Sequence, residues 1–175
     1  MRWPAVLVLI VVLLSAAIQP VGEFVNILRE KVVLNSALMN ACRAARDNSL
    51  NIWYMMNLDA HVNEDEFVSE FSRAFAKSLN LAAINRVGNE LEFISNDGRF
   101  NVISITFDME YTTYEELDDD SLGVTDNHDR PVTLVTARME TPYKFRTYWM
   151  KQANGVSNDR YRLTATRKVL MQIIN

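Results

Sequence analysis

The sequence predicts an α+β fold: one long N-terminal helix whose first half spans a membrane, packed together with a second helix on an antiparallel sheet of about four strands. Three observations predict it. No charged side chain occurs from residue 3 to residue 22. An amphipathic helical pattern follows from 24 to 46 with no loop between. After Gly88 the apolar period changes from that of a helix to the alternation of a strand.

A helix rises about 1.5 Å per residue, so the twenty uncharged residues reach about 30 Å, the thickness of a bilayer's hydrocarbon core. Residues 1–22 are therefore the expected transmembrane anchor, and residues 23–175 a single domain near the common size of about 100 to 150 residues. A cleaved secretory signal competes with this reading. Arg2 is a short basic region, residues 5–14 an apolar core, and Ser15-Ala16-Ala17 offers small residues at cleavage spacing. Against cleavage, a chain starting at Ile18 would run at once into a helix already in phase.

Pro20 cannot donate an amide hydrogen and crowds the carbonyl of Ala16, so a bend or restart is expected there, loosened further by Gly22. Beyond it Ile27, Leu34, Leu38, Ala41 and Ala45 recur at helical steps with Lys31 as the odd member, and Leu28, Val32, Met39 and Cys42 form an adjacent row. Such a stripe packs on a sheet or on sister helices. Asp47-Asn48-Ser49 ends the helix, and residues 51–58 read as a short strand or an apolar link.

Asn63 followed by Glu66 has the form of a capping box, ahead of Phe67, Phe71, Phe75 and Leu79 at four-residue spacing. This predicts a second helix over 64–81. In the next segment Leu91, Phe93 and Ser95 alternate, Asn96-Asp97-Gly98 makes a turn, and Ile103, Ile105, Phe107, Met109 and Tyr111 share one face of a long strand over 102–112. Further strands are expected over 132–138, 143–150 and 161–174, with an acidic stretch at 115–130 and a loop at 153–159.

Hydrophobic residues make up 49% of the chain, enough for a core, and the net charge of −4 with no clustered basic face argues against nucleic acid as a partner. One cysteine, Cys42, excludes an intramolecular disulfide. No catalytic residue, cofactor or small-molecule substrate is evident, because neither His61 nor His128 sits in a metal or nucleophile motif and no phosphate-binding glycine loop is present. Asp118, Asp119, Asp120, Asp126 and Asp129 supply hard oxygen donors suited to Ca²⁺, but their spacing is not that of an EF-hand, and a solvated loop tip accounts for them. The expectation is a non-enzyme without a metal. Glu23 lies where the apolar run ends, placed either to pair with a neighbour's amine or basic group or to be solvated at the interface.

The run ending in Val21-Gly22-Glu23-Phe24, then Leu34-Asn35-Ser36-Ala37 and residues 40–46 with their alanine-rich Ala-x-x-x-Ala-Arg pattern, resembles the TadE-like pseudopilins, minor subunits of tight-adherence pili in the type IV filament superfamily. Pro131 to Thr136 and Pro142-Tyr143-Lys144-Phe145 are similar to that family's closing strand and aromatic segment. The resemblance implies a pilin-like subunit of an envelope filament or secretion apparatus. Its domain would lie outside the cytoplasm, its partners would be the membrane and other pilin-like subunits or itself, and its assembly helix would carry Glu23, Phe24, Ile27, Leu34, Leu38, Ala41 and Ala45. The chain departs from the pilin pattern in one respect: Gly22-Glu23 follows the apolar run, so leader cleavage there would remove the assembly helix. Orientation pulls the other way. Arg29, Lys31, Arg43 and Arg46 follow the span and only Arg2 precedes it, which favours a cytoplasmic domain. The alternatives are a single-pass protein whose domain binds a ligand or signals, and a secreted binding module released by cleavage.

Overall fold

The computed structural model describes residues 3–49, 64–111, 132–154 and 161–171. Helix α1 runs from Trp3–Ser49, 47 residues, continuing through Pro20 without interruption. Within the expected anchor Ser15 Oγ donates back to the carbonyl of Val11 at 2.8 Å. All residues from 3 to 22 are exposed, and among the described residues α1 is the one helix long and apolar enough to cross a membrane. Its last turn carries Arg46 toward the negative end of the helix dipole.

Helix α2 (Glu64–Leu79) opens on Glu64, Asp65 and Glu66, which suit the positive end of the dipole. Tyr111 fastens this end by donating its hydroxyl to Glu64 Oε2 at 2.9 Å. Phe67, Phe71 and Phe75 form a stacked column with centroids 6.5 and 5.5 Å apart. Phe107 meets the column edge-on at 4.9 Å from Phe71, and Phe93 lies 5.3 Å from Phe75. This is the favoured quadrupolar geometry for aromatic rings, and it pins α2 to the sheet.

Five antiparallel strands follow the order β1-β2-β3-β4-β5: β1 (Leu81–Val87), β2 (Glu90–Ser95), β3 (Ile103–Tyr111), β4 (Val132–Pro142) and β5 (Arg162–Leu170). One face buries Leu91, Phe93, Ile103, Ile105, Phe107, Val135, Ala137, Met139 and Leu163 under the two helices. The other face carries Thr106, Asp108, Glu110, Arg138, Glu140, Thr166 and Lys168, all exposed, so nothing requires a layer there.

The sheet holds five strands where about four are expected, and β1 is not among the segments the sequence marks as strand. Only Leu81 of its seven residues is buried, so no alternation marks it, and the register slips between Ala83 and Asn85 as befits an edge strand. The expected helix over 64–81 stops at Leu79 because Asn80 takes a left-handed conformation, φ 53°, and turns the chain into β1. Gly88, φ 56°, fills the first central position of the two-residue turn that returns β1 to β2.

The expected strand over 143–150 is absent. Tyr143 and Phe145 are buried and Lys144 and Arg146 exposed, so the alternation is real, but beyond Pro142 the segment leaves the sheet as a strap across its end. Tyr143 N–H donates to the carbonyl of Tyr161 at 2.8 Å, and helix α3 (Tyr148–Asn154) follows. The strand expected over 132–138 runs on to Pro142, and that over 161–174 spans Arg162–Leu170. The segment 51–58, Asn63, both histidines and the acidic stretch lie outside the described residues.

Phe71 is fully buried at the centre of the column, so Phe71→Ala should destabilise the full chain by about 3–5 kcal/mol, whereas Thr166→Ala on the open face should stay within about 0.5 kcal/mol. Urea unfolding in detergent micelles, followed by near-ultraviolet dichroism, measures both.

Candidate membrane-exit site

The inner face of α1 beyond the span runs Glu23, Ile27, Glu30, Leu34, Ala37, Leu38, Ala41, Cys42 and Ala45, all buried. Lys31, the odd member of the predicted stripe, is exposed, and Glu30 takes that place in the row. The adjacent row divides: Leu28 and Val32 face outward, Met39 is half-buried and Cys42 is inside.

Both buried carboxylates are used by the strap. The Arg146 backbone N–H donates to Glu23 Oε1, and the Arg146 guanidinium reaches Glu30 Oε1 at 2.7 Å. Glu23 and Glu30 are seven residues apart, two helical turns, so one residue of the strap engages both. Tyr143 and Phe145 meet edge-on at 5.0 Å and pack on Tyr161 at 6.2 and 6.1 Å, walling the carboxylates from the sheet side. Glu23 Oε2 and the Tyr143 hydroxyl are buried without a hydrogen-bond partner among the described residues. Burial first, then the carboxylates of Glu23 and Glu30, push the Tyr143 hydroxyl up to about 12. Burial likewise pushes the Cys42 thiol up to about 12 despite the nearby Arg167 cation, so the thiol is a packing group and not a nucleophile.

Of the helix-assembly residues read from the sequence, Ile27, Leu34, Leu38, Ala41 and Ala45 lie in the intramolecular core against α2 and the sheet. Glu23 is engaged by the chain's own Arg146, and Phe24 is exposed at 59%. Sequence reasoning missed Glu30, Arg146 and Tyr143. Glu30 was detectable, because it keeps helical register with Ile27, Leu34 and Ala41; Arg146 was not, since 116 residues separate it from Glu30.

A cleft of about 250 Å³ opens beside the clasp, lined by Asn26, Arg29, Glu30, Arg99 and Arg146. Among the described residues no group of three His, Cys, Asp or Glu side chains is placed to hold a metal. Comparison of the chain with protein families, with curated proteins and with solved structures returns no match.

Arg146→Ala leaves Glu30 buried and unpaired, so it should cost about 1–3 kcal/mol in urea unfolding, whereas Lys144→Ala should lie within about 0.5 kcal/mol. A second expectation concerns alkaline pH. Burial away from solvent holds Tyr143 and Cys42 protonated beyond their ordinary values of 10.0 and 9.0, so the unfolded chain sheds these protons first. Stability is then full below pH 9 and falls as pH rises toward 12. Thermal midpoints across that window should decline less steeply in Tyr143→Phe and in Cys42→Ala than in the wild type.

Proposed function

We propose that the chain is a single-pass membrane protein with a structural role, a pilin-like subunit that packs laterally through its N-terminal helix in an envelope filament or secretion apparatus. The observation that carries this reading is the outward face of α1. Ala17, Val21, Val25, Leu28 and Val32 recur at steps of three and four residues, opposite the face covered by the domain, and all are exposed. The apolar surface of the span thus continues about three turns past Gly22 and then gives way to Asn35 and Ser36.

A soluble helix flank has no reason to stay apolar when its inner face already holds the domain. Two partners satisfy such a seam: lipid, for its lower part, and a sister helix along its whole length. Helix association in lipid depends on close contact, and the small residues Ala17 and Gly22 permit it. The assembly surface proposed is therefore the outward row with Phe24, and not Ala41 and Ala45, which a sister helix cannot reach. The domain would stand beside the membrane as a rigid body on a continuous helix, with the expected extracytoplasmic placement following from the pilin-like role.

The test uses full-length chains in membranes, with Cys42→Ala as background. Leu28→Cys and Val32→Cys should give oxidised dimers, and Lys168→Cys, on the open face of the sheet, should give none. All of these chains should resist alkaline carbonate extraction. Monomers alone at Leu28 and Val32, in chains that stay in carbonate-washed membranes, would sink lateral assembly and favour the membrane-anchored ligand-binding or sensory reading.

A further inference from the structure

We propose that the cleft beside the clasp binds the phosphate of an anionic membrane lipid, in the leaflet from which α1 emerges. The inference rests on the membrane-anchored reading of α1, because that reading sets the height of the cleft. Asn26 and Glu30 lie four and eight residues past Gly22, about 6 to 12 Å along the helix, while the headgroup layer adds about 5 to 7 Å to each side of the hydrocarbon core. Long arginine side chains span the remainder by reaching toward the interface.

Three parts of the chain that are distant in sequence meet here: α1 with Asn26, Arg29 and Glu30, the β2–β3 loop with Arg99, and the strap with Arg146. The loop and strap are fixed to one another, since Asn101 Nδ2 donates to the carbonyl of Pro142 at 3.1 Å and Lys144 Nζ to that of Gly98 at 3.4 Å. The cations are not spent internally. Glu30 is 6% exposed and takes one arginine, Arg146, whose own side chain remains 56% exposed. Among the described residues neither Arg29 nor Arg99 has a carboxylate within ion-pair distance; Arg99 lies over the Phe100 ring, 5.0 Å from its centroid. Asp97, the exposed carboxylate of the loop, is occupied by the Ser95 hydroxyl and the Arg99 backbone N–H.

Glu23 and Glu30 thus turn inward, Asp97 stays exposed on the loop within the field of Arg99, and Arg29, Arg99 and Arg146 line one small polar opening. Planar guanidinium forks match phosphate oxygens in pairs, and Asn26 adds an amide donor. At about 250 Å³ the cleft suits a phosphate headgroup and not a drug-sized apolar ligand. Free phosphate shares this chemistry. The lipid is favoured because the cleft is held at the bilayer surface, where anionic headgroups are concentrated and the cations of the domain are drawn to them.

The experiment titrates the full chain in neutral maltoside micelles with short-chain phosphatidylglycerol, short-chain phosphatidylcholine or inorganic phosphate, reading retained ligand by native mass spectrometry. Phosphatidylglycerol should bind about tenfold more tightly than phosphatidylcholine, and Arg29→Gln and Arg99→Gln should each remove most of that preference while leaving the unfolding midpoint in place. Neither arginine takes part in the clasp, so both variants fold. Equal binding of the two lipids overturns the proposal, as does a preference that survives both substitutions. Inorganic phosphate that displaces the lipid at equal concentration assigns the cleft to free phosphate and overturns the lipid assignment. Carbonate extraction of the wild-type chain is run alongside: release from the membrane sinks the anchor, whereas retention together with lost lipid preference sinks the cleft alone.

Discussion

On the membrane-anchored reading, an unbroken helix that leaves a bilayer and enters a folded domain must change solvent around its whole circumference within about one turn, and the rest of the structure is arranged around that change along α1. From residue 3 to residue 22 every face is uncharged and exposed; from Glu23 the inner face belongs to the domain. The transition is abrupt on that face alone. On the outer face Val25, Leu28 and Val32 prolong the apolar surface, so the boundary between lipid-like and water-like surroundings is oblique to the helix axis. A tilt of the helix, or a partner along that seam, follows from this obliquity.

On the inner face the two carboxylates mark where the domain begins. Burying a charge is costly unless it is paired, and both Glu23 and Glu30 are answered by Arg146 from a strap that would otherwise have no ladder to hold it. The net worth of such a pair is small, but its specificity is not. Leucine in place of Glu30 would pack the helix as well and would leave Arg146 with no fixed station. The strap in turn sets Tyr143 and Phe145 against Tyr161, closing the sheet at the end nearest Glu23. Higher up, packing replaces polarity: Leu34, Leu38, Ala41 and Ala45 admit α2 closely, and the phenylalanine column carries the load onto Phe93 and Phe107.

How much of this was legible follows from the range of the signals. Helices α1 and α2 and strands β2 and β3 announce themselves because their periods are local: Phe67, Phe71 and Phe75, or Ile103, Ile105 and Phe107, disclose a buried face within a few residues. Strand β1 does not, because a strand with six of seven residues exposed has no period to read. The strap was misread for the opposite reason. Tyr143 and Phe145 alternate as a strand does, but what they bury against is Tyr161 and α1 rather than a sheet face, and alternation cannot tell the two apart. Glu30 was passed over in favour of Lys31 because a four-residue step from Ile27 reaches Lys31 and a three-residue step reaches Glu30, and both steps are helical; the partner that decides between them lay 116 residues away. The candidate site was thus half visible: the helix residues in sequence, their strap and loop partners only in the fold.

The same separation bears on what the basic surface at this end of the domain can signify. Topology in the bilayer is decided by Lys and Arg within about 15–20 residues of the span, as segments insert and before a domain folds. Arg29 and Lys31 count in that decision; Arg99, Lys144 and Arg146, brought beside the helix by the β2–β3 loop and the strap, do not. Their clustering beside α1 is a property of the folded state alone. In an anchored chain it would add to the attraction between domain and anionic leaflet whichever side the domain occupies, since that attraction depends on distance to the surface and falls off within a Debye length of about 8 Å. On the membrane-anchored reading, a fold that gathers distant arginines at this height, while turning Glu23 and Glu30 inward, would orient the domain on the membrane independently of the signals that chose its side.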